Sequence, residues 1–177
     1  MRIRSLILIL AMGLISINTH ASISLNDLLE EEEEVAEESL EELVSYEPPM
    51  QHRLYTFFKR NKVQRPEYYA SLLARHPMLE AKKKIMAAII VPESRGNCKA
   101  VNRRSGATGL CQIMPAWKKR LNIKGSLKDP VVNINAAIRI YDIHLKDAAG
   151  NHNKALYAYS GGIHKYSQRI NRLIKEI

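Results

Sequence analysis

The chain has 177 residues, of which 46% are apolar and 25% charged, and its formal net charge is +9. This composition predicts a globular domain with a core, and it excludes a chain that is disordered throughout. It also excludes a polytopic membrane protein, because one apolar run is long enough to consider as a span. Residues 22–50 carry eleven acidic and no basic side chains, whereas residues 51–177 carry 25 basic and 7 acidic ones. The basic part favours an anionic partner such as nucleic acid, lipid head groups or cell wall.

The N-terminus has the pattern of an export signal. Arg2 and Arg4 precede an apolar run over residues 6–17, and Thr19-His20-Ala21 supplies a small-x-small ending. This pattern predicts that residues 1–21 are a secretory signal peptide cleaved after Ala21, since the run is short for a membrane span. The alternative is an uncleaved anchor. We therefore expect a periplasmic or cell-wall-associated protein that is not integral to a membrane, and export disfavours nucleic acid as the partner.

The acidic residues 22–50 form a separate arm or linker before the main domain. Leucine and valine recur near helical spacing from Leu25 to Val44, with glutamates between them, and Pro48-Pro49 ends the pattern. Two interpretations stay open. The arm is either a solvated acidic linker or a marginal amphipathic helix that needs a partner surface.

Proline and glycine punctuation predicts a series of helices in residues 51–177. The predicted helices span residues 51–60, 66–75, 78–94, a short segment from Pro115, 132–145, 153–159 and 163–177. The expected core positions of the third helix are Leu79, Ile85, Met86, Ile89 and Ile90. Residues 95–111 are rich in Gly, Asn, Ser and Arg and predict a loop. The fold class is therefore mostly α, with at most a small β-hairpin.

Two cysteines, Cys98 and Cys111, would lie in an oxidising compartment after export, where disulfides persist. A bridge would close a loop of 14 residues and contribute about 3 kcal/mol in the chain-entropy model. The alternative is two small buried thiols. Two cysteines without histidines at ligand spacing do not predict a metal site.

Glu93 follows an apolar stretch at the predicted end of the third helix. Partial desolvation there would raise the pKa of its carboxyl, and a raised pKa makes a general acid usable near neutral pH. A lone glutamate in this position is more often an ordinary surface residue. The neighbouring motifs favour the chemical interpretation.

Four motifs occur in order over about residues 85–166. They are Glu93-Ser94-x-x-Asn97, Gly106-Ala107-Thr108-Gly109-Leu110-Cys111-Gln112-Ile113-Met114-Pro115, Asn133-Ile134 and Ala158-Tyr159-Ser160-Gly161-Gly162. Together they resemble the lytic transglycosylases of the soluble-lytic-transglycosylase (SLT) type in the lysozyme-like superfamily, which cleave the glycan strands of peptidoglycan. The resemblance implies a lysozyme-like helical domain in residues 51–177, with its motif core in residues 80–168.

The resemblance also implies a set of site residues. Glu93 would be the sole catalytic acid and base, and no cofactor would be needed. Substrate-binding roles fall on Ser94, Gln112, Met114, Tyr159 and Ser160. For two of these residues a structural alternative stays open, since Met114 suits a core and Gln112 suits bonding to loop backbone. The chain departs from the family pattern at Ser160, where asparagine is usual, and at Pro92 directly before the acid.

The acidic residues after Glu93 give a separate indication of mechanism. Hydrolytic glycosidases usually need two carboxyls flanking the bond. The later acids, Asp129, Asp142, Asp147 and Glu176, lie in no Gly-rich or aromatic motif. A single-carboxylate route therefore fits better, and the family implies a 1,6-anhydro product on the muramic sugar.

Other functions remain open from the sequence. The nearest alternative is a goose-type lysozyme-like hydrolase. A non-catalytic glycan-binding protein on the same fold and a polyanion-binding interaction protein are further alternatives. The enzyme would serve either general wall turnover or local wall opening for a secretion, pilus or conjugation apparatus.

Overall fold

The computed structural model describes residues 47–177. The predictions of a signal peptide in residues 1–21 and of an acidic arm up to residue 46 lie outside the described residues. Residues 48–177 form one compact unit. No helix among the described residues is long and apolar enough to cross a membrane.

Seven helices make up the described part of the chain, and they confirm the mostly α class. They are α1 (Met50–Arg60), α2 (Pro66–Arg75), α3 (Glu80–Glu93), α4 (Pro115–Arg120), α5 (Pro130–Asp147), α6 (His152–Tyr159) and α7 (Tyr166–Ile174). The β structure of these residues is limited to isolated bridges that join Thr108 to Val101 and to Ile113. The predicted hairpin is therefore a pair of single bridges inside the long loop between α3 and α4.

The first two helices pack against each other, as their apolar spacing predicts. Leu54, Phe57 and Phe58 of α1 are fully buried. Pro66 occupies the first position of α2, where its missing N–H has no intrahelical acceptor to lose. Tyr69 and the other buried residues of α2 continue the same core.

Helix α3 is the central helix of the domain and contacts α1, α2, α5 and α7. Every residue from Ile85 to Val91 is buried, so the helix is apolar around most of its circumference near its C-terminal end. The predicted start at residue 78 and the core assignment of Leu79 are wrong. Leu79 has an extended backbone and precedes the helix as its cap, and its side chain is 74% exposed. Pro92 lies inside α3, which nevertheless continues to Glu93.

The last three helices close the domain over α3. The Asp129 carboxylate caps α5 by accepting the backbone N–H groups of Val131 and Val132, and the Asn151 side chain caps α6. Helix α7 is shorter than the predicted span of residues 163–177. It begins at Tyr166 because a turn precedes it, in which Gly161 and Gly162 have positive φ and Ile163 is 58% exposed.

Candidate active site

Glu93 is the last residue of α3, and its side chain is half-buried. Its Oε1 accepts a hydrogen bond of 2.7 Å from the hydroxyl of Tyr166. Burial raises the pKa of the Glu93 carboxyl, while the Tyr166 hydrogen bond and the positive charge of Arg169 lower it by a smaller amount. A carboxyl with a raised pKa keeps its proton closer to neutral pH and can act as a general acid.

Tyr166 is the hydrogen-bond partner of Glu93, and it is a residue that the sequence analysis did not identify. It is the first residue of α7 and is buried, and α7 packs against α3. Burial and the neighbouring Glu93 charge raise the pKa of the Tyr166 hydroxyl, so it stays protonated and donates to the carboxyl. From the sequence, a tyrosine at the start of an amphipathic helix reads as an ordinary core residue.

Tyr159, which the resemblance places in the site, lies beside Tyr166 with the two ring centroids 6.5 Å apart and the planes inclined by 22°. Its hydroxyl donates to the backbone carbonyl of Cys111 at 3.1 Å. Burial raises the pKa of the Tyr159 hydroxyl well above its ordinary range. Tyr159 therefore connects α6 to the Gly-rich loop, residues 106–114, next to the Glu93–Tyr166 pair.

The Asn133 side chain holds the backbone of the Gly-rich loop by hydrogen bonds. Its side chain is fully buried, and its Oδ1 accepts the backbone N–H of Cys111 at 2.8 Å. Its Nδ2 donates to the carbonyls of Thr108 at 2.9 Å and Leu127 at 2.7 Å. Asn133 thus makes three hydrogen bonds through one buried amide, and hydrogen bonds are stronger in such an apolar setting than in water. The Asn133-Ile134 motif thus supports the loop that carries Cys111.

Gln112 and Met114 follow Cys111 in the same loop. Gln112 has a positive φ of 48°, and its side-chain amide donates to the carbonyl of Gly109 at 3.0 Å. The amide therefore supports the loop backbone, which was the structural alternative for this residue. Met114 is 41% exposed and precedes α4 as its cap, so the alternative that placed it in the core is wrong.

The two predicted serines are bonded to turns that flank the site. The Ser94 Oγ accepts the backbone N–H of Gly96 at 3.1 Å, directly after Glu93. The Ser160 Oγ donates to the carbonyl of Tyr157 at 2.8 Å and accepts the N–H of Ile163 at 3.0 Å. Ser160 thereby closes the turn that leads from α6 to Tyr166.

Cys98 and Cys111 are both free thiols, so the structure lacks the bridge that was one of the two expectations. Cys98 is half-buried and lies near the hydroxyl of Tyr69 on α2. Cys111 is fully buried near Glu93, and burial raises the pKa of its thiol. The two sulfurs have different neighbours, since Cys111 lies near Glu93 and Cys98 lies near Tyr69.

Three other carboxylates of the described chain are occupied elsewhere. Asp129 caps α5, Glu80 pairs with Arg53 at 2.6 Å, and Asp142 pairs with Lys82 at 2.7 Å. Within residues 47–177, the groups that act on the pKa of Glu93 are Tyr166 and Arg169, and neither is a carboxylate. In the same residues, no group of three or more His, Cys, Asp or Glu side chains could hold a metal ion.

The family model of the transglycosylase SLT domain matches residues 73–174, which is more than half of the chain. The chain belongs to this family. A protein named "Transglycosylase" from Enterobacteria phage PRD1 is 37% identical over 79 residues, covering 45% of this chain and 29% of the phage protein. The chain thus matches less than a third of that relative's length. The SLT match begins within α2, so α1 and most of α2 precede it.

Proposed function

We propose that this protein is a lytic transglycosylase that cleaves the β-1,4 bond between the MurNAc and GlcNAc sugars of peptidoglycan and leaves a 1,6-anhydro-MurNAc end. The observation that carries the proposal is the half-buried Glu93, with its raised pKa and its hydrogen bond from Tyr166, inside the SLT domain. The name of the phage relative supports the same activity.

In the first step Glu93 donates a proton to the glycosidic oxygen. Since the Tyr166 hydroxyl bonds Oε1, the other oxygen, Oε2, is left to carry the proton toward the leaving group. As the proton leaves, Glu93 becomes negative. The Tyr166 hydrogen bond and the Arg169 charge both favour this charged form, so they stabilise Glu93 as bond cleavage proceeds.

In the second step the same carboxylate acts as a base. It takes the proton of the C6 hydroxyl of the muramic sugar while that oxygen closes on C1, where the bond to the leaving oxygen has broken. The N-acetyl carbonyl of the sugar stabilises the positive charge at C1 between the two steps. A route with one carboxylate is supported by the surroundings of Glu93 among the described residues, because the groups that act on its pKa are Tyr166 and Arg169 and neither is a carboxylate.

We also propose that the protein is exported and acts on the wall, either in general wall turnover or by opening the wall locally for a secretion, pilus or conjugation apparatus. The support for export is the signal-like pattern of residues 1–21, and peptidoglycan as substrate requires access to the wall. Fractionation of cells that produce the full chain tests this localisation. Recovery of the protein in the cytoplasm with residues 1–21 still attached would contradict export.

The decisive experiment for the activity is digestion of purified sacculi, with mass spectrometry of the products. The parent protein should release anhydro ends, and Glu93→Gln should lower the rate by about 100-fold or more because the transferable proton is lost. Products with reducing ends would instead indicate a lysozyme-like hydrolase. No product from the parent would favour a glycan-binding protein.

The stability of Glu93→Gln separates lost chemistry from lost folding. Because burial raises the pKa of Glu93, its charged form destabilises the folded state at pH values above that pKa. The neutral glutamine should therefore be at least as stable as the parent near neutral pH, and any gain should vanish below the ordinary value of 4.5. Thermal unfolding of the variant and the parent, near neutral pH and below pH 4.5, measures this difference in stability.

A further inference from the structure

Basic side chains are concentrated in one stretch of the sequence. Residues 94–128, here called the cationic segment, contain nine basic residues and no acidic residue. The basic residues are Arg95, Lys99, Arg103, Arg104, Lys118, Lys119, Arg120, Lys124 and Lys128. Elsewhere in residues 51–177 acidic side chains are interspersed among the bases. The cationic segment therefore carries half of the domain's net charge of +18 on about a quarter of its residues.

None of these nine cations forms an ion pair with a carboxylate of the described chain. The ion pairs of the described chain join Arg53, Lys82 and Lys84 to carboxylates on α3 and α5, and none of them involves the cationic segment. Eight of the nine side chains are exposed, and Lys118 is half-buried. The Arg120 guanidinium lies 4.7 Å from the centre of the Trp117 ring. Unpaired cations confined to one region create a local positive potential that attracts anions.

The cationic segment lies alongside the candidate acid. Arg95 is two residues beyond Glu93, and the Cys111 backbone in the middle of the segment accepts the hydroxyl of Tyr159. The Cys111 thiol is close enough to Glu93 for the carboxylate charge to raise its pKa. Met114 and α4 continue from there at the surface. An anionic group attached to a bound strand near the scissile bond would therefore meet this positive surface.

We propose that the cationic segment binds the carboxylates of the peptide side chains that peptidoglycan strands carry, so that the protein prefers strands with charged peptides. This proposal rests on the proposed function, because it specifies which form of that substrate the site takes. The glycan backbone bearing intact peptides is itself uncharged, so its peptide carboxylates are the anions that nine unpaired cations can attract.

Single-stranded nucleic acid is a competing polyanion, and the segment fits it less well. Binding of single strands relies on exposed aromatic rings that stack on bases. Trp117 is the one aromatic residue in residues 94–128, and its ring is covered by Arg120 on a face and contacts His144 edge-on at 5.4 Å. One face of the segment's one aromatic ring is therefore already covered.

The test compares two forms of one substrate. Purified sacculi are divided, and in one half the carboxyls are converted to amides with a carbodiimide and ammonium, which leaves the glycan unchanged. Binding of the full chain carrying Glu93→Gln is measured by co-sedimentation, so that turnover does not interfere. We expect binding to the amidated sacculi to be about tenfold weaker at low salt, and the difference to shrink at 0.15 M salt, where the screening length is about 8 Å.

Two triple variants assign the effect to the segment. Lys119→Gln/Lys124→Gln/Lys128→Gln removes three exposed cations of the segment, and Lys146→Gln/Lys154→Gln/Arg172→Gln removes three exposed cations elsewhere. The first variant should bind native sacculi several-fold more weakly and discriminate less against amidated sacculi. The second should behave like the parent.

Three binding outcomes would overturn the proposal, and a fourth outcome comes from digestion. The binding outcomes are equal binding to native and amidated sacculi, equal losses in both triple variants, and loss of single-stranded DNA binding in the first variant with unchanged sacculus binding. Digestion of both forms of sacculi at equal rates would reject the proposal and leave the transglycosylase function intact. Preferential binding to native sacculi without any anhydro product would support the role of the cationic segment and reject the transglycosylase function.

Discussion

Two opposing effects set the proton affinity of Glu93. Burial at the end of an apolar helix favours the neutral acid, whereas the Tyr166 hydroxyl and the Arg169 charge favour the carboxylate. A group that must give up a proton and then take one back needs both forms to be accessible near the working pH. The arrangement of α3 against α7 supplies both influences, because it brings Tyr166 to within 2.7 Å of the carboxyl.

Removal of the Tyr166 hydroxyl should change the pH dependence of activity in a defined direction. In Tyr166→Phe the carboxylate loses a hydrogen bond that favours it, so the pKa of Glu93 rises further. The acid then stays protonated to higher pH, and the alkaline limb of the pH–rate profile should move to higher pH. The rate at the optimum should fall about fivefold to tenfold, as expected for one lost hydrogen bond.

Tyr159→Phe is the matched control for that measurement. It also removes a hydroxyl from the stacked pair of rings, but this hydroxyl donates to the Cys111 carbonyl and not to Glu93. The pH–rate profile of Tyr159→Phe should have its alkaline limb at the same pH as that of the parent. Equal shifts in both variants would mean that the limb does not report the Glu93–Tyr166 hydrogen bond.

The two thiols should react very differently. Cys111 is fully buried and burial raises the pKa of its thiol, so it lacks both access and thiolate character, whereas Cys98 is only half-buried. Labelling of the native protein with a thiol reagent, followed by intact mass, should add one label quickly. The second label should appear only in denaturant. A protein that takes no label until a reductant is added would contain the bridge that the structure lacks.

At the scale of elements, the Gly-rich loop depends on its contact with α5. Gly109 has a φ of +85°, and a Cβ there would collide with the Asn133 side chain and the Leu127 carbonyl. The same asparagine holds the Cys111 backbone. A small residue at position 109 therefore allows one buried amide to fix the loop beside Glu93.

Gly109→Ala should destabilise the protein much more than Gly150→Ala does. Gly150 has a similar φ of +80°, but a Cβ there would meet nothing within 4 Å. Gly150→Ala should thus cost about 1–2 kcal/mol from backbone strain alone. Gly109→Ala adds overpacking of about 1–3 kcal/mol. Chemical denaturation of the two variants measures the difference. Equal losses of stability would show that Asn133 moves to accommodate a Cβ at position 109 without lowering the free energy of unfolding.

At the scale of the whole molecule, the SLT match does not include the whole folded unit. The match begins at residue 73, yet α1 contributes the fully buried Leu54, Phe57 and Phe58 to the core. Helix α2 also reaches the turn that follows the candidate acid. The Tyr69 hydroxyl donates to the Gly96 carbonyl at 2.9 Å, and the Gln64 N–H donates to the Arg95 carbonyl at 2.8 Å.

A chain cut to residues 73–174 should fail to fold cooperatively, whereas residues 48–177 should fold. The shorter chain loses three fully buried side chains of α1 and the buried Tyr69. Circular dichroism melting of both chains is the measurement. Phe57→Ala in the longer chain provides a graded version, with an expected loss of about 3–5 kcal/mol. A sharp melting transition of the shorter chain would contradict the dependence on α1 and α2.

Much of the fold follows from local patterns. The apolar spacing of α1 and the prolines that open α2 and α4 predicted these helices almost to the residue. The predictions failed at ends that local pattern does not determine. Leu79 reads as a core residue, but the backbone turns before α3, and α7 starts late because the chain must first leave the Ser160 turn.

The sequence by itself determined the helical class, the order of the helices and the position of Glu93 at the end of an apolar helix, because spacing and punctuation act within a few residues. Only the tertiary structure decided which groups surround that carboxyl. Tyr166 lies 73 residues along the chain from Glu93 and meets it because α7 packs on α3. Cys98 and Cys111 lie close in sequence, but Cys98 lies near Tyr69 of α2 whereas Cys111 lies near Glu93 at the end of α3. Such pairings depend on how the helices pack around the core, and that packing is a property of the whole domain.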